Sequence, residues 1–310
     1  MSDARRMTLV EAEETGNPHK GNEFFWQPAK ADNFYRKWRD KRLEAAEWTR
    51  RAGFVQIENL ANPTESERFE LMRRCSISNI ALYQTDPGTD PRLALRDFAD
   101  GFALRIAEKH RSAGGDGIVA LRESNAPAQV GYIPYSKRGM NWHTDGYYNA
   151  PKDRISAMVL HTAVPADDGG SNQFLDHTVA FIRLMDEDPA FAQALMADDA
   201  MSIPQDDTTG RPVSVGPVFY PDPDTGALQM RYTARTRSIT WKDDPLTADA
   251  VACLMEKLAD DPLTISLRFA AGQGVLCNNV LHDRTGFDPD AAQSDRTVYR
   301  VRFHNRVKGA

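Results

Sequence analysis

The chain has 310 residues, 41% hydrophobic and 26% charged, with 44 acidic against 38 basic side chains and a formal net charge of −6. Its mean hydropathy is −0.54, and no stretch reaches the roughly 18 consecutive apolar residues of a membrane-spanning helix. No dense Lys/Arg run marks a nucleic-acid footprint, since Asp40 interrupts the closest one, RKWRDKR at 36–42. The profile is that of a globular protein acting on small molecules. Cys75, Cys253 and Cys277 form no C-x-x-C pair, which predicts reduced thiols in a cytoplasmic protein. Arg5 and Arg6 have no apolar run behind them, so no secretory signal is expected.

One domain over 1–310 is the simplest reading, with a mobile segment at 1–24. The spacing of Phe34, Trp38, Leu43, Ala46 and Trp48 predicts a helix over 32–51, stopped by Gly53. A strand, GFVQIENL, is expected at 53–60. Asn62 or Thr64, Pro63 and the following glutamates then mark a helix start. A helix over 91–111 and a strand at 117–121 complete a mixed N-terminal third. From about residue 130 short strand-like runs dominate: SAMVLHTAV, RPVSVGPVFY, LQMRYT, TISLRF, GVLCNNVLH and TVYRVRFH. Helices are expected near 174–197 and 247–259. This is an α+β chain, mainly β, with many short strands that suggest a sandwich or barrel. No G-x-G-x-x-G or P-loop motif supports nucleotide binding.

GMNWHTDGYYN at 139–149 holds His143 and Asp145 two positions apart. On an extended strand both side chains leave one face and can reach one metal ion. His282 follows at the end of a distant apolar run, and Arg296 and Arg300 lie four apart on the last strand. Buried arginines are costly unless they meet anions. A His-x-Asp pair, a distant His and a later Arg is the order of the two-His, one-carboxylate triad of Fe(II) oxygenases.

In these segments the chain resembles the TauD/TfdA branch of the Fe(II)/2-oxoglutarate-dependent dioxygenases. NWHTD matches the metal motif, GGSNQF the Gly-Gly turn, NNVLHDRTGF the distal histidine motif and DRTVYR the terminal arginine motif, in order over roughly 130–305. GFVQIENL resembles the family's opening strand. The resemblance implies a double-stranded β-helix (jelly-roll) core at about 117–307 with flanking helices. It implies that His143, Asp145 and His282 ligate Fe(II) and that Arg296 pairs with the far carboxylate of 2-oxoglutarate. Arg300 would lie near the co-substrate or an anionic substrate group. Asn172 stands where relatives often carry Thr beside 2-oxoglutarate, and since an amide can donate to a carboxylate the resemblance implies that Asn172 helps to hold it. The implied reaction oxidises an unactivated C–H bond with O2, releasing succinate and CO2. Asp145 favours hydroxylation or a related oxidation over halogenation, which requires a small residue at that position.

The stretch before the metal motif offers Tyr132, Tyr135, Lys137 and Arg138 to a substrate. The stretch after it adds Tyr147 and Tyr148, and MRYTARTRSITW adds Arg231, Arg235 and Arg237. This material suits a small anionic metabolite. Two alternatives use the same residues. One is a zinc hydrolase with a His/Asp/His site, for which Arg296 has no role and H-E-x-x-H is missing. The other is a catalytically silent binding relative. The N-terminal helices and NEFFWQP at 22–28 could cover the barrel or join two subunits as a homo-oligomer.

Overall fold

Alternating and continuous apolar runs sort the described strands into two main sheets, flanked by helices, and two small sheets of three and two strands. The computed structural model describes residues 32–88, 91–107, 116–126, 129–207, 210–288 and 290–308. The segment 1–24, the stretch 22–28 and the end of the helix expected over 91–111 lie outside them.

The N-terminal third contains α1 (Asp32–Ala52), β1 (Val55–Ile57), α2 (Glu65–Ser78), β2 (Ile80–Thr85), α3 (Pro91–Gly101) and β3 (Ile118–Leu121). A capping box starts α2: the Thr64 hydroxyl accepts from Glu67 N–H, and the Glu67 carboxylate accepts from Thr64 N–H at 2.7 Å. α3 is shorter than expected. Ala103 takes a left-handed φ of 51°, and Ile106 then bridges to Phe303 at the sheet.

After β4 (Met140–His143) and β5 (Ala157–Val164) come β6 (Asn172–Leu175), α4 (His177–Glu187) and α5 (Pro189–Leu195). The helix expected over 174–197 is thus a strand end and two helices, broken where Asp188 caps Pro189. Next are β7 (Met201–Ile203), β8 (Ser214–Gly216), β9 (Phe219–Pro221), β10 (Leu228–Met230), β11 (Thr240–Trp241) and α6 (Pro245–Ala259). The chain finishes with β12 (Ile265–Leu267), β13 (Gln273–Cys277), β14 (Leu281–Arg284) and β15 (Thr297–Phe303).

The larger sheet runs β1-β2-β13-β5-β15-β3 and the smaller β12-β6-β14-β4. Between them a cluster including Leu82, Met158, Leu160, Phe174, Ile265 and Val298 fills the interior. α2 and α3 cover the other face of the larger sheet through Leu71, Leu95 and Phe98. α4 and α6 pack behind the smaller sheet through Phe181, Leu184 and Leu254. This is the jelly roll with flanking helices, and its larger sheet reaches back past 117 to take in β1 and β2. The single run expected at GVLCNNVLH divides between the sheets. Asn279, at φ 49°, turns the chain from β13 in one to β14 in the other.

Candidate active site

His143 ends β4 and faces His282 on β14 as its antiparallel partner. The ring centroids are 4.2 Å apart. Each ring is oriented by the carbonyl two residues before it: Asn141 O at 2.8 Å from His143 Nδ1 and Val280 O at 3.0 Å from His282 Nδ1. A carbonyl only accepts, so Nδ1 carries the proton and the Nε2 lone pair stays open. Asp145 lies in the turn after β4, not on the extended strand the two-residue spacing suggested. Its Oδ1 still comes within 3.9 Å of His143 Nε2. One ligand atom from each of His143, Asp145 and His282 falls within 4.8 Å of the others.

All three groups are buried. Burial, then the neighbouring His282, pushes His143 down to about 3, and burial lowers His282 as well. Burial opposes ionisation of Asp145, but Arg300 and Arg302 outweigh it and hold the carboxyl well below the usual range. Arg300 Nη1 sits 3.3 Å from Asp145 Oδ1, while Asp145 Oδ2 is buried with no hydrogen-bond partner. Two neutral imidazoles with open lone pairs and one carboxylate with an unmet oxygen fit a divalent metal with nitrogen and oxygen preferences.

Asn279 was not singled out from sequence, yet it fixes the turn that carries Asp145. Its Oδ1 accepts from Asp145 N–H at 2.8 Å, and its Nδ2 donates to the carbonyls of Asp145 at 3.0 Å and Ile155 at 2.8 Å. The left-handed backbone at Asn279 is one that Asn tolerates.

The Gly-Gly turn packs on the segment after β14. A Cβ on Gly169 (φ 67°) would overlap Gly286 O, and Gly170 N–H donates to the same oxygen at 2.9 Å. Arg296 is buried beside this turn. Its guanidinium carbon lies 4.8 Å from the centre of the Phe287 ring, and its Nη1 has no hydrogen-bond partner. Burial lowers it to about 10. Asn172 is buried on β6, where its Nδ2 donates to Gly170 O at 3.2 Å.

Of the substrate residues expected from sequence, Tyr147, Arg231 and Arg235 are joined by hydrogen bonds. Tyr132 is exposed, and Tyr135 is buried in the cluster between the sheets. Arg138 donates to Gly131 O at 3.1 Å. Tyr147 accepts from Arg235 at 2.9 Å, and Tyr148 accepts from buried Arg302 at 3.3 Å. Arg231 is a correction. Its guanidinium donates to the carbonyls of Tyr147, Met201, Gly216 and Ser214 and to the Ser214 hydroxyl. Every N–H is committed, so it holds the framework and offers nothing to a ligand.

Arg284 was also missed. It lies two residues after His282 on β14, hence on the same face, and that spacing was the available signal.

The family model described as "Taurine catabolism dioxygenase TauD, TfdA family" matches residues 86–302. No curated protein matches the sequence. An asparagine oxygenase solved with Fe(II), 2S,3S-3-hydroxyasparagine and succinate superposes with a TM-score of 0.57 at 14% identity, covering 86% of this chain and 91% of that one. The non-heme iron oxygenase OrfP, solved with Fe and alpha-ketoglutaric acid, gives 0.55 at 16% identity over 98% and 93%. A taurine dioxygenase from Burkholderia xenovorans gives 0.54 at 17% identity over 81% and 88%. No helix among the described residues is long and apolar enough to cross a membrane.

Proposed function

The chain belongs to the TauD/TfdA family of dioxygenases, and from that premise we propose that it uses Fe(II) and 2-oxoglutarate to hydroxylate an unactivated C–H bond of a small anionic metabolite. The observation that carries this reading is the meeting of His143, Asp145 and His282, with both Nδ1 atoms tied to carbonyls and one Asp145 oxygen unmet. These three residues would hold the iron. With 2-oxoglutarate and O2 it supplies an oxidant strong enough to break a C–H bond: one oxygen atom enters the substrate as hydroxyl, the other enters succinate, and CO2 leaves.

The rest falls to the chain's own side chains. Asn279 holds the Asp145 turn against β14, so that the ligand atoms need little rearrangement to meet a metal. Arg296 takes the far carboxylate of 2-oxoglutarate, for which its partnerless Nη1 and buried charge are suited. Arg300, in contact with Asp145, keeps that carboxylate ionised and presents a cation beside the reacting centre for an acidic substrate group. Tyr148, edge-on to Tyr147, accepts from Arg302, which acts on Asp145, so the two rings border the same end. Asp145 fills the position that a halogenase would leave to chloride.

The test is anaerobic. Protein loaded with Fe(II) is titrated with 2-oxoglutarate while the weak visible charge-transfer band of the chelate is followed. The band is expected in the wild type, lost in Asp145→Ala, and displaced to much higher 2-oxoglutarate in Arg296→Ala. Folded, iron-loaded wild type without a band at any concentration would sink the proposal. Candidate carboxylates and sulfonates are then screened by coupled succinate release.

A further inference from the structure

One N–H of the Asn172 amide is turned back onto Gly170 O at 3.2 Å. A second group is available there. Arg284 is the direct cross-strand partner of Asn172 in the β6–β14 pairing. It is buried, and its guanidinium carbon lies 4.7 Å from the centre of the same Phe287 ring that Arg296 contacts at 4.8 Å. All its hydrogen bonds leave from Nη2, to Ser136 O at 3.1 Å and Arg138 O at 2.5 Å, and its buried Nε has no partner. Two guanidiniums therefore share one phenyl ring, each with a buried donor unmet. Burial, and then Arg296, lowers Arg284 to about 9. Asp288, the acid that acts on Arg296, is already committed: Oδ1 accepts from Asp168 N–H at 2.7 Å and Oδ2 from the Ser294 hydroxyl. Holding two buried like charges together is unfavourable until an anion joins them.

We propose that Arg284 is a second anchor for the far carboxylate of 2-oxoglutarate, acting with Arg296 beside Phe287. This rests on the co-substrate reading above. It also gives the carbonyls of Ser136 and Arg138 a link to that anchor, since Arg284 holds them by its other nitrogen.

The test compares two ligands with the same chelating end. 2-Oxoglutarate carries the far carboxylate, and 2-oxopentanoate has a methyl group there. Both are titrated anaerobically into Fe(II)-loaded protein and followed by the chelate band. Wild type is expected to prefer 2-oxoglutarate strongly. Arg284→Gln is expected to weaken 2-oxoglutarate by about 10- to 100-fold, the range for a lost charge-assisted bond, and to leave 2-oxopentanoate unchanged. Arg284→Lys, which keeps the charge with a single nitrogen, should fall between and carries the test if the Gln variant does not fold. Unchanged 2-oxoglutarate affinity, or equal weakening of both ligands, overturns the proposal, the latter by making Arg284 a brace for the 136–138 backbone alone. A wild type that fails to distinguish the two ligands overturns the co-substrate reading itself, and this proposal with it.

Discussion

Arg231 is a half-buried and Arg296 a buried arginine in the C-terminal half, and burial lowers both to about 10. Their surroundings have opposite logic. Around Arg231, oxygens from the Tyr147 turn and from β7 and β8 take every N–H of the guanidinium. Around Arg296 there is a phenyl ring, a glycine turn and an Nη1 with no partner. Burial and a shifted pKa therefore do not separate framework from site. The accounting of donors does: a saturated guanidinium holds backbone together, and an unsaturated one has a donor left for an anion.

The strongest way to break this comparison is to remove each charge in turn. Arg231→Met leaves several buried carbonyls without a donor and should cost about 3–5 kcal/mol, as losses of buried charged partners do. A denaturant midpoint would read it, and the surviving folded protein should bind 2-oxoglutarate as wild type does. Arg296→Met should do the reverse. Its expected cost is about 100-fold in 2-oxoglutarate affinity, roughly 2.7 kcal/mol, with a melting temperature equal to or above wild type because an unpaired buried charge is gone. Equal destabilisation by the two variants would remove the distinction.

Much of this was legible in the chain itself, and the boundary has physical causes. His143, Asp145 and His282 come together in space as their motifs suggested, although Asp145 sits in a turn rather than on a strand. Helix α2 was announced by its capping residues. β2 was missed because IALY is buried throughout and has no alternation. The division of GVLCNNVLH could not be seen because one left-handed residue, Asn279, redirects an otherwise continuous strand pattern. Arg231 was misread for a related reason. An arginine in a basic, aromatic segment has the same sequence signature whether its donors meet a substrate or main-chain carbonyls. Arg284 and Asn279 act through cross-strand partners, and pairing register is not written locally.

Histidines sharpen the comparison with a smaller effect. Burial lowers His161, bonded to the Tyr83 hydroxyl, and His177, bonded to Leu228 O, each to about 4. Their unfolded value is about 6.5. The unfolded chain therefore binds more protons between these values, so stability is full above about pH 6.5 and falls as pH drops toward 4. From about pH 6.5 to about pH 5.5 each should cost about 1 kcal/mol. Chemical denaturation at the two pH values checks this. His177→Gln should flatten the profile by one such increment, and an unaltered slope would show that His177 titrates alike in both states.

The smallest effect is expected at Asn172, and it tests the donor rule where sequence resemblance argued against it. The resemblance implied that this amide helps to hold 2-oxoglutarate. The structure instead uses one of its N–H groups on Gly170 O at 3.2 Å, which makes Asn172 closer in kind to Arg231 than to Arg296. Asn172→Ala should therefore change 2-oxoglutarate affinity by less than about threefold while losing about 1 kcal/mol of stability, the net worth of one buried hydrogen bond. Arg284→Gln, on the adjacent strand, should weaken 2-oxoglutarate by the larger factor of about 10- to 100-fold. If Asn172→Ala weakens 2-oxoglutarate as much as Arg284→Gln does, the amide's second N–H is a ligand despite the first being committed. Donor accounting would then have to be done bond by bond rather than residue by residue.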